Sequence, residues 1–153
     1  MSPLTASDAA ARLREQLAVE PTVAGEVVTV TVPPERWQAT AEFVRGSLGC
    51  IFFSFLTAVD WKEQGIEVLC RVQNLDTRVT VVLRTRLGAG HEHCPTLTGV
   101  WRGADWMERE CWDMFGVRFD GHPDHRRILL DETWEGHPLR KDYAVDTPHA
   151  PYR

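Results

Sequence analysis

The alternation of hydrophobic and polar residues predicts two helices near the start of the chain. Residues 5–19 repeat at helical spacing, and Thr5 and Asp8 have the spacing of a capping box at the start of this helix. Pro34 suits the first turn of a second helix, because the fixed φ of proline is close to helical. We expect the second helix to end at Gly49, after an apolar stripe formed by Trp37, Ala41, Val44 and Leu48.

Four further segments have the composition or the alternation of β-strands. Residues 27–32 are a β-branched run, and residues 50–61 are largely apolar, which predicts a mostly buried strand. Residues 66–74 and 78–87 alternate polar and apolar side chains, as is typical of strands with one buried face. Short polar turns join the last three segments, so we expect them to form an antiparallel meander.

A third helix is predicted over residues 106–115. Asp105 is its expected N-cap, because Glu108 follows three residues later, and Gly116 is the expected end of the helix. The apolar face of this helix is formed by Met107, Cys111, Met114 and Phe115.

The side chains of this third helix are predicted to divide between core and solvent. We expect Met114 and Phe115 to be core residues, because they continue the apolar face. Arg109 and Asp113 lie one helical turn apart, so we expect them to form an exposed ion pair. Such a pair stabilises a helix by only about 0.2–0.5 kcal/mol.

The order of these elements predicts an α+β fold. The predicted order is helix, strand, helix and three strands, followed by a helix and an extended C-terminal tail. We expect the strands to form a mixed β-sheet with helices on one face. We divide the chain into an α+β domain, residues 1–115, and an extended C-terminal interface arm, residues 116–153.

The predicted arm contains one turn motif twice. Gly121-His122-Pro123 and Gly136-His137-Pro138 are each followed by a basic pair, and each predicts a sharp bend. Because aromatic residues and arginine are typical interface anchors, we expect an interface formed by Arg126, Arg127, Trp134, Arg140, Lys141 and Tyr143. Arg140 and Lys141 are the expected main anchors. An arm folded back on the sheet of its own chain is the alternative.

Residues 97–143 carry a motif of fixed spacing, formed by Glu108, Arg109, Glu110, Asp113, His122 and Arg126. The motif continues with Ile128-Leu129, and Glu135 begins a second stretch that runs through Gly136-His137-Pro138 to Asp142. With these residues the segment resembles the C subunit of the proton-pumping NADH–quinone oxidoreductase, respiratory complex I. So many fixed positions over this length make a chance similarity implausible.

The resemblance implies a cofactor-free scaffold subunit that is not catalytic by itself. In this family, the complex uses FMN, iron–sulfur clusters and quinone, and the C subunit holds none of them. It lies in the hydrophilic arm on the cytoplasmic face of the membrane, and it packs against the D subunit, which helps to form the quinone site. It supports electron transfer from NADH to quinone, coupled to proton translocation. The homologous subunit of a membrane-bound hydrogenase or a related dehydrogenase is an alternative with a similar signature.

Composition and charge narrow the remaining possibilities. A length of 153 residues suits one domain, and a net charge of −5 gives the chain no overall basic field, so nucleic-acid binding has no electrostatic support. No signal-peptide pattern is present, and the most apolar run, residues 50–59, is too short to span a bilayer. The four cysteines lack a metal-binding spacing, so we expect reduced structural thiols at Cys50, Cys70, Cys94 and Cys111.

A small metal-dependent enzyme is the alternative from another class, because all six histidines follow residue 90. His91, His93 and Cys94 are possible metal ligands, but no second ligand pair accompanies them. An acid–base or metal site could also be imagined from His122, His125, His137, Glu108, Glu110 and Asp113. The proline turns already explain two of these histidines, and no nucleophile or nucleotide motif is present. We therefore assign no catalytic residue and no metal ligand.

Overall fold

A computed structural model describes residues 3–148, and in them three helices pack on a five-stranded sheet. The helices are α1 (Ala6–Leu17), α2 (Pro34–Ser47) and α3 (Ala104–Phe115). The strands of the sheet are β1 (Thr22–Ala24), β2 (Val27–Thr31), β3 (Phe52–Asp60), β4 (Ile66–Gln73) and β5 (Thr80–Leu87). A separate two-stranded parallel sheet is formed by β6 (His93–Pro95) and β7 (Arg118–Asp120). The predicted α+β fold is confirmed.

The five strands lie in the order β1-β2-β5-β4-β3. The predicted meander of β3, β4 and β5 is confirmed as antiparallel, and β2 pairs with β5 in parallel. The polar turn between β3 and β4 is a short 3-10 helix, Lys62–Gln64. The mixed sheet arises because α2 carries the chain from β2 to the opposite edge, from which the meander returns.

One face of the sheet and the helices share a single hydrophobic core. Alternate side chains of the strands point into it, and the helices supply the opposite wall, including Leu13 and Trp37. The predicted capping box of α1 is confirmed, because the Thr5 hydroxyl accepts from the Asp8 N–H and the Asp8 carboxylate accepts from the Thr5 N–H. All four cysteines are buried free thiols, as expected.

The prediction that residues 50–61 form a mostly buried strand is wrong, because most residues of β3 are exposed or half-buried. Phe52 is 46% exposed and Phe55 is 36% exposed, because the helices cover only one face of the sheet. The register shifts between Phe53 and Phe55, which marks a β-bulge at Ser54. The outer edge of β3 is instead covered by α3, where the Met107 sulfur accepts a hydrogen bond from the Leu56 N–H at 3.1 Å.

Three short strands have no signal in the hydrophobic pattern. All three residues of β1 are exposed, so they show no alternation. β6 lies between the predicted strand 78–87 and the predicted third helix, where no strand is predicted, and β7 lies within the predicted arm. Within residues 3–148, no helix combines the length and the hydropathy needed to cross a bilayer.

Candidate interaction site at the third helix and the tail

The third helix begins without the predicted cap. Gly103 is the N-cap and provides no side-chain hydrogen bond, while Asp105 lies in the first turn. Glu108 does not turn back to the helix start, because its carboxylate accepts from the Leu97 N–H at 2.6 Å and from the Thr96 hydroxyl at 2.5 Å. The predicted cap at Asp105 is therefore wrong, and Glu108 holds the segment after β6 instead.

Glu108 is a fully buried carboxyl group. Its nearest basic neighbour is His122, whose Nε2 atom lies 3.9 Å from the carboxylate and is also fully buried. Desolvation raises the pKa of Glu108 to about 7, although the bonds from Thr96 and Leu97 oppose the rise. This carboxyl group therefore changes its charge near neutral pH.

Asp113 accepts hydrogen bonds from four donors in the tail. Its buried carboxylate accepts a bond of 2.6 Å from the Arg127 guanidinium. Three consecutive backbone N–H groups donate to it at 3.2, 2.8 and 2.9 Å, those of Ile128, Leu129 and Leu130. Burial by itself would raise the pKa of Asp113, but the Leu130 N–H and the Arg127 guanidinium outweigh it, and the pKa is lowered.

The predicted exposed pair between Arg109 and Asp113 is wrong. Arg109 donates to the carbonyl oxygens of Arg126 and Arg127 at 3.1 and 2.9 Å, and its side chain is only 14% exposed. The two side chains thus hold the same stretch of tail. Arg109 binds its carbonyl groups, and Asp113 binds its N–H groups. The remaining motif acid, Glu110, is exposed on α3.

Both repeated turns bend sharply, as predicted. Gly121 and Gly136 each have a φ of +84°, which favours glycine. The following histidines bind backbone atoms of α3, His122 through Nε2 to the Asp105 carbonyl and His137 through Nδ1 to the Asp113 carbonyl, both at 3.0 Å. The two turns therefore attach the tail to successive parts of the same helix.

Trp112 is a contact residue that sequence reasoning missed. Its ring lies 4.9 Å from the ring of His125 and 5.1 Å from the ring of His137, measured between centroids. His125 also accepts a hydrogen bond from the Phe119 N–H at 2.9 Å. Gly116 allows this packing, because a Cβ atom at that position would lie 2.7 Å from the His137 ring.

Each basic pair of the tail has one inward and one outward member. Arg127 is 11% exposed, whereas Arg126 is 65% exposed and pairs with the nearby Asp124. Arg140 donates to the Phe115 carbonyl and to Glu92, whereas the Lys141 side chain is exposed. The outward residues are therefore the ones accessible to another protein.

The division into a domain and an interface arm stays a prediction. Trp134 and Tyr143 are half-buried in the tail, and the Trp134 carbonyl accepts a bond from Arg127. The last five residues of the predicted arm, 149–153, lie outside the described residues.

Met114 and Phe115 are less buried than predicted. Both are half-buried, and Phe115 packs against the edge of the core. Tail residues bind the backbone at this end of α3, since the Leu139 N–H donates to the Met114 carbonyl at 2.9 Å. The apolar face of α3 is therefore only partly covered by the core, because this helix lies between the core and the tail.

The histidines and acids of residues 3–148 are divided among several contacts, although His122 lies 3.2 Å from Asp105 and 3.9 Å from Glu108. His93 pairs with Asp120 at 2.7 Å, on the surface, whereas Cys94 is buried beneath it. His91 is exposed. Within the part of the chain that the structure describes, no group of three or more His, Cys, Asp or Glu residues is placed to hold a metal ion.

Two solved structures have a similar fold. The trypsin-resistant fragment of Nqo5 aligns with a TM-score of 0.68 and 20% identity, covering 78% of this chain and 99% of the fragment. A chain of the membrane-bound sulfane sulfur reductase, an archaeal respiratory membrane complex, aligns with a TM-score of 0.72 and 22% identity, covering 91% and 85%. At these identities the likeness shows the fold alone.

Relatives in sequence are more informative. The NADH-quinone oxidoreductase C subunit of Agrobacterium fabrum is 38% identical, over 91% of this chain and 72% of the relative. That of Rhodobacter capsulatus is 41% identical, over 80% of this chain and 63% of the relative. The NADH-quinone oxidoreductase C/D subunit of Phocaeicola vulgatus is 36% identical, over 74% of this chain but only 22% of its own length.

The family model described as "Respiratory-chain NADH dehydrogenase, 30 Kd subunit" matches residues 30–149. This match includes the end of β2, all later strands, α2, α3 and both turns of the tail. The chain belongs to the family of the 30 Kd subunit of respiratory-chain NADH dehydrogenase.

Proposed function

We propose that this chain is the scaffold subunit of an NADH–quinone oxidoreductase, equivalent to the C subunit of respiratory complex I. The observation that carries the proposal is the family match over residues 30–149, together with relatives that bear the C-subunit name. The chain supports electron transfer from NADH to quinone, coupled to proton translocation, as part of the hydrophilic arm. FMN, the iron–sulfur clusters and quinone are held by other subunits.

The proposed main partner is the D subunit, on the cytoplasmic face of the membrane. The relative from Phocaeicola vulgatus supports this partner, because its name joins the C and D subunits in one protein. Two subunits that are fused in one organism are expected to lie next to each other where they are separate chains. The exposed Arg126, Leu129, Leu139 and Lys141 offer a basic and apolar surface for this contact.

Purification of the tagged chain from its own organism tests the proposed function. We expect subunits of an NADH–quinone oxidoreductase to co-purify, and the complex to reduce quinone with NADH. Metal analysis of the chain alone separates the two classes of function. Stoichiometric metal together with turnover by the isolated chain would favour a small metal-dependent enzyme. Co-purification of hydrogenase subunits would favour the homologous subunit of a membrane-bound hydrogenase.

The exposed basic residue of the tail is predicted to matter for assembly. Lys141→Glu is expected to weaken co-purification with the D subunit while leaving urea unfolding nearly unchanged, because its side chain is exposed and its backbone N–H keeps the bond to Asp60 at 2.8 Å. Arg140→Glu provides the comparison, since it breaks the contacts to the Phe115 carbonyl and Glu92. It is expected to expose the tail to protease even in the lone chain.

Limited proteolysis with and without the D subunit distinguishes the two effects. In the lone chain, the segment beyond Asp131 is expected to be cut faster than it is in the assembled complex. Equal protection in both states, with full assembly by Lys141→Glu, would mean that the tail serves its own chain alone.

A further inference from the structure

The face of the sheet that the helices leave uncovered is not a typical solvated surface. Side chains of β3, β4 and β5 that point away from the core form it, and we call it the open sheet face. It is defined here by Phe52, Phe55, Leu69, Arg71, Val82 and Arg86. The open sheet face lies on the other side of the sheet from the hydrophobic core and the helices.

Apolar side chains occupy positions where a solvated sheet carries polar ones. Phe55, Arg71 and Val82 are neighbours in one row across three strands. Phe52 and Phe55 are 46% and 36% exposed, although both lie on strands of the main sheet. An antiparallel sheet with one face in water normally alternates apolar inside and polar outside. Neighbouring exposed apolar side chains therefore indicate a surface that another protein covers.

The charges on this face are mainly positive. Glu67 is an acidic residue on the same side of β4, but it is only 2% exposed. Its carboxylate is already bonded twice by Arg84, at 2.9 Å, and by the Trp61 indole N–H, also at 2.9 Å. Arg86 reaches Glu67 only at 4.0 Å. Arg71 is exposed and forms no ion pair with any residue from 3 to 148. The face is thus basic, although the whole chain has a net charge of −5.

We propose that the open sheet face docks a second protein of the assembly, one whose surface places apolar side chains over Phe52 and Phe55 and carboxylates opposite Arg71 and Arg86. This inference rests on the proposed function, because it takes the occupant to be another subunit of the same assembly. Aromatic and arginine side chains together are the composition of interface centres. The chain then contacts the assembly through both the tail and the open sheet face.

Charge reversal on the sheet tests the proposal in the tagged chain. Arg71→Glu is expected to lower recovery of one subunit by about tenfold or more, because like charges then face each other. Arg12→Glu, on the exposed surface of α1, is the matched control and is expected to have no effect. Arg71→Glu should unfold at the same urea concentration as the wild type, because Arg71 is exposed and forms no ion pair among residues 3–148. A photo-reactive residue at the exposed Thr57 should cross-link to an acidic, apolar segment of that same subunit.

Distinct results would overturn this inference or the proposed function. Wild-type chain that recovers no oxidoreductase subunit contradicts the proposed function. Wild-type chain that assembles, with Arg71→Glu assembling equally well, contradicts the open sheet face as a docking site. A purified dimer that Arg71→Glu dissociates would identify a second copy as the occupant. Binding to anionic vesicles that Arg71→Glu abolishes would identify a membrane. Either of these last two results overturns the proposed occupant.

Discussion

Replacing Asp113 by alanine is expected to detach the tail and to lower the free energy of unfolding by about 3–5 kcal/mol, the range for a buried pair that loses one partner. The change leaves the guanidinium of Arg127, which is 11% exposed, without its carboxylate. It also removes the acceptor for three backbone N–H groups, including those of Leu129 and Leu130. Urea unfolding measures the loss, and hydrogen exchange at these two amides shows where it occurs.

Two comparisons show whether the carboxylate of Asp113 is the cause. Asp120→Ala removes an exposed partner of His93 and is expected to change stability by less than about 1 kcal/mol. Asp113→Asn keeps an acceptor oxygen but loses the charge opposite Arg127, so an intermediate loss is expected. If Asp113→Ala unfolds like the wild type with protected tail amides, the tail is held mainly by Arg109 and the histidines.

The periodicity of the sequence predicted those features whose interacting residues lie close together along the chain or follow a regular alternation. The capping box of α1 and the three antiparallel strands followed from spacings of a few residues. The partners of Arg109 and Asp113 did not, because they lie 14 to 18 residues away in a tail without periodicity. One helical turn of separation predicts an ion pair only where no stronger partners compete. Asp113 has three N–H groups and a guanidinium as competitors.

Burial along β3 could not be predicted from composition alone. A run of apolar residues is the same whether a strand is covered on both faces or presents one apolar face to a partner. The bulge at Ser54 also disrupts the alternation that would have separated the two faces. For Trp112, the available signal was its place on α3 beside a tail rich in histidine. The resemblance to the complex I family located α3 and its tail but not their individual contacts.

The stability of the wild type is expected to decline relative to that of Glu108→Gln as the pH rises from 4 to 8. The difference between their free energies of unfolding is expected to change by about 3 kcal/mol. The folded pKa of Glu108 is raised from 4.5 to about 7, and each unit corresponds to about 1.36 kcal/mol. Above pH 4.5 the unfolded chain has lost this proton while the folded chain keeps it, so the favourable contribution declines until the pH passes 7. Glutamine keeps an acceptor for the Leu97 N–H and never ionises. Urea titrations of the wild type, Glu108→Gln and the exposed control Glu110→Gln test this, and parallel curves for the first two would contradict it.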